Sequence, residues 1–196
     1  MFLDPQGKIS GEHTAGSIEV VWGCVFSGKT EELIRRLRRA TIAKQEVEIF
    51  KPAVDTRYDD EDVVSHNKTA IRSTPVQFAS DILLLTGKSD VIGIDEAQFF
   101  DDQIVDVCRK LANSGKRVRV AGLDMDANGN PFGPMPQLLA IAEFVTKLHA
   151  ICTISGSLAS FSYKLTDSDK TVELAGIELP FAGELIVTPG FGQGAE

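Results

Sequence analysis

Apolar and polar positions along the chain follow two alternating rhythms. Four short runs rich in Val and Ile, SIEVVW, VEIFKPA, DVIGIDEA and RVRVAGLD, each close on a turn and predict β-strands. LIRRLRRATIA instead spaces Leu33, Ile34, Leu37 and Ala40 at helical intervals, and DQIVDVCRKLANSG keeps the same period, with Gly115 as the expected left-handed stop. QLLAIAEFVTKL, led in by the prolines of PFGPMP, is predicted as a further amphipathic helix. Strand alternating with helix predicts an α/β fold, a parallel sheet covered on both faces. Residues 1–16 are polar and aperiodic and read as a flexible leader, so ordered structure is expected from about Ser17. The main core is expected over 17–150, a small C-terminal lobe over 151–187 and a glycine-rich flexible tail over 188–196.

Composition narrows the classes of function. With 196 residues and 43% hydrophobic content the chain can bury one core and a small appended lobe. A net charge of -8 repels a polyanion, so no nucleic-acid partner is expected, whereas a small anion held by local groups is compatible. No apolar run approaches membrane-spanning length and the leader lacks the apolar core of a secretory signal, so no membrane partner and a cytoplasmic location are expected. Cys24, Cys108 and Cys152 are odd in number and widely spaced, which gives no disulfide framework.

The first strand runs into GCVFSGKT, and EELIRRLRRA follows. Strand, glycine-rich turn and helix are the setting in which GxxxxGK(S/T) is a phosphate loop. Backbone N–H groups from Gly23 through Phe26, Ser27 and Gly28 can surround phosphate oxygens; Lys29 can reach the outer phosphates, and the Thr30 hydroxyl can ligate Mg²⁺. The ligand this predicts is a nucleoside triphosphate. Glu31 and Glu32 stand one turn before Arg35 and Arg36, so the arginines are expected to line a solvated, ion-paired helix face. In DVIGIDEAQFF the strand ends in Asp95 and Glu96, where ligands of open α/β sheets gather. Asp95 is placed like a Walker-B acid, holding Mg²⁺ directly or through water, and Glu96 can accept a proton from an attacking hydroxyl.

GCVFSGKT, FKPAVDTRY, SHN, IDEAQFF, AGLD and NPFG occur in an order and spacing that resembles the type II thymidine kinase family, from about Ser17 to Cys152. The resemblance implies a P-loop NTPase fold with a RecA-like core and a homotetramer. It also implies transfer of the γ-phosphoryl of ATP to the 5′-hydroxyl of thymidine, giving dTMP in nucleotide salvage, with deoxyuridine as a second acceptor. On the matching positions it makes Glu96 the general base, puts Arg57 near the transferring phosphate and Gln98 among the ATP-binding residues, and has Asp55 support magnesium through water. Phe99, Leu123 and Phe132 match residues lining the base pocket, while Phe100 is expected in the core. His66 is left outside the chemistry.

The chain departs from the family pattern at several positions. Val25 stands where a methionine is usual, and Ala127 where an aromatic is usual, which shrinks apolar surface near the base and loosens nucleoside binding. CTISGSLAS offers Cys152 but Ser155 where the family places a second cysteine, and the remaining tail contains neither Cys nor His. Structural zinc is therefore not expected, and order in the lobe would rest on Ile177, Leu179, Phe181, Leu185 and Ile186. A catalytically weak nucleotide-binding or regulatory homologue is the alternative reading that these changes support.

Overall fold

The computed structural model describes residues 16–53, 62–64, 70–126, 128–152, 155–164, 171–174, 177–180 and 185–188. The expectations for Asp55, Arg57, His66, Ala127, Phe181, the leader up to residue 15 and the tail from residue 189 lie outside these residues.

In chain order the core elements are β1 (Ser17–Gly23), α1 (Lys29–Ile42), β2 (Val47–Pro52), β3 (Asp62–Val64), β4 (Ala70–Arg72), β5 (Thr74–Val76), α2 (Asp81–Leu85), β6 (Val91–Ile94), α3 (Gln103–Asn113), β7 (Arg117–Leu123), α4 (Met135–Ile141) and β8 (Phe144–Leu148). Six of the strands form one parallel sheet in the order β5-β2-β6-β7-β1-β8. Both of its faces are covered, as the alternating pattern predicts. On one face α1 packs Leu33, Ile34, Leu37 and Ala40 against Ile49, Val91 and Ala121. On the other, Ile104, Val107, Cys108 and Leu111 of α3 and Leu138 of α4 meet Val20, Ile92, Ile94, Val118 and Val120. Gly115 follows α3 with φ of 89°, the left-handed stop expected of it. No helix among the described residues is long and apolar enough to cross a membrane.

Two expectations are corrected. The helix predicted over QLLAIAEFVTKL stops at Ile141, and Phe144–Leu148 is the edge strand β8, paired in parallel with Glu19–Gly23 of β1. Its side chains alternate half-buried and exposed, a period of two that a helical count over the same letters overlooks. Glu143 fixes the switch: its N–H donates to Ile18 O (3.0 Å) and its carboxylate accepts Ile18 N–H (2.6 Å).

The other correction concerns the arginine face of α1. Glu32 accepts from both Arg35 (2.6 Å) and Arg36 (2.7 Å), so the ion pairing is as expected, but Arg36 is buried rather than solvated. Its guanidinium also reaches Glu19 on β1 and Thr146 on β8, and Arg119 pairs with Glu19 from the other side (3.3 Å). A buried guanidinium is tolerable only with its donors satisfied, and this network, drawn from α1, β1, β7 and β8, satisfies them.

After β8 the described strands form antiparallel pairs apart from the main sheet. These are β9 (Ala150–Ile151) with β10 (Leu158–Ala159), β11 (Phe161–Lys164) with β14 (Leu185–Thr188), and β12 (Thr171–Leu174) with β13 (Ile177–Pro180). We propose that these pairs make up the C-terminal lobe, with β9 straddling the expected boundary after residue 150 and β14 ending one residue past its expected limit of 187.

Candidate active site

The carboxyl ends of β1, β6 and β7 lie side by side in the sheet, and the chain's chemically distinctive residues follow each of them. After β1 the chain turns through Phe26 (φ 61°) and Gly28 (φ 82°) into the N-terminus of α1, so the loop is a concave run of backbone amides at a helix start. Lys29 Nζ folds back over it to donate to Cys24 O (2.7 Å). Burial pulls the Lys29 ammonium below its ordinary pKa, opposed by the nearby charges of Glu96 and Asp95. Ser27 Oγ is buried with no hydrogen-bond partner among the described residues. A loop of this kind, with an orphaned hydroxyl and a lysine parked on its rim, is built for an anion.

Asp95, just beyond β6, is buried, and its carboxylate accepts the Thr30 hydroxyl (3.1 Å to Oδ2) and the Glu96 N–H (3.0 Å to Oδ1). Burial, reinforced by the neighbouring Glu96 charge, pushes Asp95 up to about 7, against the pull of those two hydrogen bonds and of Lys29. Thr30 and Asp95 offer hard oxygen donors side by side, the chemistry that suits Mg²⁺. Glu96 itself adopts φ of 50°, a left-handed conformation unusual for a residue with a Cβ and the kind of strain that clusters at functional sites. Its carboxylate accepts Gln98 Nε2 at 2.5 Å.

Beyond Glu96 a short 3-10 turn carries Phe99 to the surface and Phe100 into the core. The Phe99 ring meets Phe132 edge to face with centroids 5.5 Å apart, so two of the three residues expected at the base pocket touch. Leu123, the third, ends β7, and its N–H donates to Gln98 Oε1 (2.9 Å). From the C-terminal strands, Ser162 Oγ accepts Val25 N–H (2.9 Å) and Ala159 O accepts the Cys24 thiol (3.2 Å), so β10 and β11 hold the outer side of the loop.

A model of the thymidine kinase family matches residues 16–180. The chain belongs to this family. It is similar to the thymidine kinases of Bacteroides thetaiotaomicron (60% identity over 174 residues, 89% of this chain and 87% of that protein) and Rhodothermus sp. (60% over 165 residues, 84% and 78%). The Porphyromonas gingivalis thymidine kinase is 61% identical over 159 residues, 81% and 78% of the two chains. Among solved structures the fold is similar to the flagellar accessory protein FlaH from Methanocaldococcus jannaschii, with a TM-score of 0.50 over 76% of this chain and 77% of that one. At 13% identity that likeness speaks for the shared fold alone.

Within this thymidine kinase fold, Gly23, Phe26, Ser27, Gly28, Lys29, Thr30, Asp95, Glu96, Gln98, Phe99, Leu123 and Phe132 gather at the ends of β1, β6 and β7. Sequence reasoning passed over Ser162 and Asp124. Asp124 is buried against Lys147 (3.3 Å), and although it closes the AGLD run, that run gave it no role. Ser162 lies 137 residues from the loop it contacts, too far for any local pattern to signal. At the position of the missing second cysteine, Ser155 N–H donates to Cys152 Sγ (3.5 Å) and Gly156 N–H to Cys152 O (2.9 Å), so the turn exists with a hydroxyl in place of a thiolate. That donor set does not fit zinc.

Proposed function

We propose that the chain transfers the γ-phosphoryl of ATP to the 5′-hydroxyl of thymidine, giving dTMP and ADP. The observation that carries this reading is the placement of Glu96. Its carboxylate stands one residue from the Asp95–Thr30 pair and close enough to Lys29 to act on its charge, and the Phe99–Phe132 wall begins three residues on. The 5′-oxygen attacks the γ-phosphorus, the bond from that phosphorus to the bridging oxygen of ADP breaks, and Glu96 takes the hydroxyl proton. Lys29 leaves the Cys24 carbonyl for the outer phosphates, while the amides of the loop and the Ser27 hydroxyl hold the remaining oxygens. Mg²⁺, held by Thr30 and Asp95 with Asp55 acting through water, would neutralise charge on the phosphates. Arg57 supplies a permanent cation to the transferring group. We assign the homotetramer and the cytoplasmic location to the same proposal.

Thymidine lies with its base against Phe99, Phe132 and Leu123. Ring faces and an aliphatic end accept a planar pyrimidine at little entropic cost, and Val25 narrows the apolar contact from the loop side. The test is an ATP-consumption assay with thymidine, with single-stranded DNA and with neither. Turnover that requires thymidine, with dTMP as product, is expected. Equal turnover in all three, or turnover that requires DNA, contradicts the reading.

A further inference from the structure

Gln98 lies in the phosphate-proximal IDEAQFF segment and is expected from the resemblance among the ATP-binding residues, yet its side chain is spent elsewhere. It is buried, and both ends of its amide are engaged: Nε2 donates to Glu96 Oε2 at 2.5 Å, and Oε1 accepts the Leu123 N–H at 2.9 Å. Only one orientation of the amide satisfies both partners, because the reverse would set oxygen against carboxylate and NH₂ against N–H. Two glycines let the chain close in around this residue: a Cβ on Gly122 would fall 3.1 Å from Oε1 and 2.5 Å from Met135 Sδ, and one on Gly133 would fall 2.4 Å from the Gln98 backbone carbonyl oxygen.

We propose that Gln98 is a positioning residue for the general base and not an ATP contact. It fixes the rotamer of the Glu96 carboxylate and ties it to the end of β7, where Leu123 faces the nucleoside. The left-handed backbone at Glu96 makes such a tie necessary, since a carboxylate on a strained turn has several staggered positions and only the held one serves the 5′-hydroxyl. Through Leu123, the residue that meets the base and the residue that takes the proton share one rigid bridge. This inference rests on the kinase reading above.

Gln98→Glu keeps an acceptor for Leu123 but sets a second oxygen against Glu96, and Gln98→Met removes both hydrogen bonds at similar length. For each we expect kcat to fall roughly 10- to 100-fold, the range for losing a hydrogen bond that orients a working group. KM for ATP and for thymidine should move by less than about threefold. The deciding arm adds Gln98→Glu to Glu96→Gln. If Gln98 acts through Glu96, the double variant turns over within about twofold of Glu96→Gln alone. Its melting temperature should lie above that of Gln98→Glu, because the amide now on residue 96 donates to the carboxylate on residue 98. Losses that multiply, or a raised KM for ATP with kcat unchanged in either single variant, overturn the proposal and return Gln98 to the nucleotide. Absence of thymidine phosphorylation by the wild-type protein is a separate result and would sink the kinase reading itself.

Discussion

Cys108 shows how far a single residue's surroundings set its chemistry. It sits on the inner face of α3, fully enclosed by apolar side chains, and burial alone pushes its thiol up to about 12 from an ordinary 9.0. The unfolded chain releases that proton near pH 9 and the folded one retains it. Its contribution to stability is thus complete below about pH 9 and is lost as pH rises toward 12, with a slope of at most about 1.4 kcal/mol per pH unit. Denaturant midpoints measured from pH 8 to 10.5 should fall more steeply for the wild type than for Cys108→Ala. Parallel curves would show that the thiol ionises in the native state. At this same scale the sequence disclosed the functional residues unevenly. Lys29, Thr30, Asp95 and Glu96 could be read from it because their chemistry is written in contiguous letters between a strand and a helix. The task of Gln98 could not, because it depends on a hydrogen bond to Leu123, 25 residues away.

At the level of elements, periodicity succeeded where one face of an element is buried and failed where the chain changes from one period to another without punctuation. Helix α1 is the clear success. Leu33 and Leu37 are fully buried one turn apart, and the polar positions between them carry the ion pairs. Leu37→Ala should cost about 2–5 kcal/mol, since Leu37 packs beneath Gly93, whose missing side chain lets a leucine methyl come within 2.6 Å of where a Cβ would be. Urea denaturation would read this as a lower midpoint with an unchanged slope. A loss under about 1 kcal/mol would mean that α1 can settle onto the sheet without that side chain. The boundary between α4 and β8 is the failure. Ala142 and Glu143 separate them without a glycine or proline, and the edge strand declares itself only through its pairing with β1. The short β5 and α2 were likewise unread, being three and five residues long with too few positions to show a period.

For the molecule as a whole, the parallel sheet, its covered faces and the loop position follow from alternation and from the rule that parallel strands need helical crossovers, whereas the strand order β5-β2-β6-β7-β1-β8 rests on pairings between segments far apart in the chain. What the C-terminal strands do was not legible, because a clasp on the phosphate loop through Ser162 and Ala159 requires knowing which distant segments meet. Those strands pair through their backbones, with Ser155 facing Cys152 in the turn that would otherwise offer two thiolates. Chelator treatment should therefore leave the melting temperature unchanged, and elemental analysis should find less than stoichiometric zinc. Tightly held zinc in equimolar amount would mean that ligands outside the described residues complete a site.

The central claim is that this fold brings a carboxylate base and a triphosphate site together around a nucleoside. Glu96→Gln tests it most directly, because it keeps the size of the side chain and most of its hydrogen bonding while removing the proton acceptor. Formation of dTMP from ATP and thymidine should drop roughly 10²- to 10⁴-fold in kcat, with ATP affinity within about threefold of the wild type. A variant that makes dTMP at close to the wild-type rate would contradict the account and place the base on another residue.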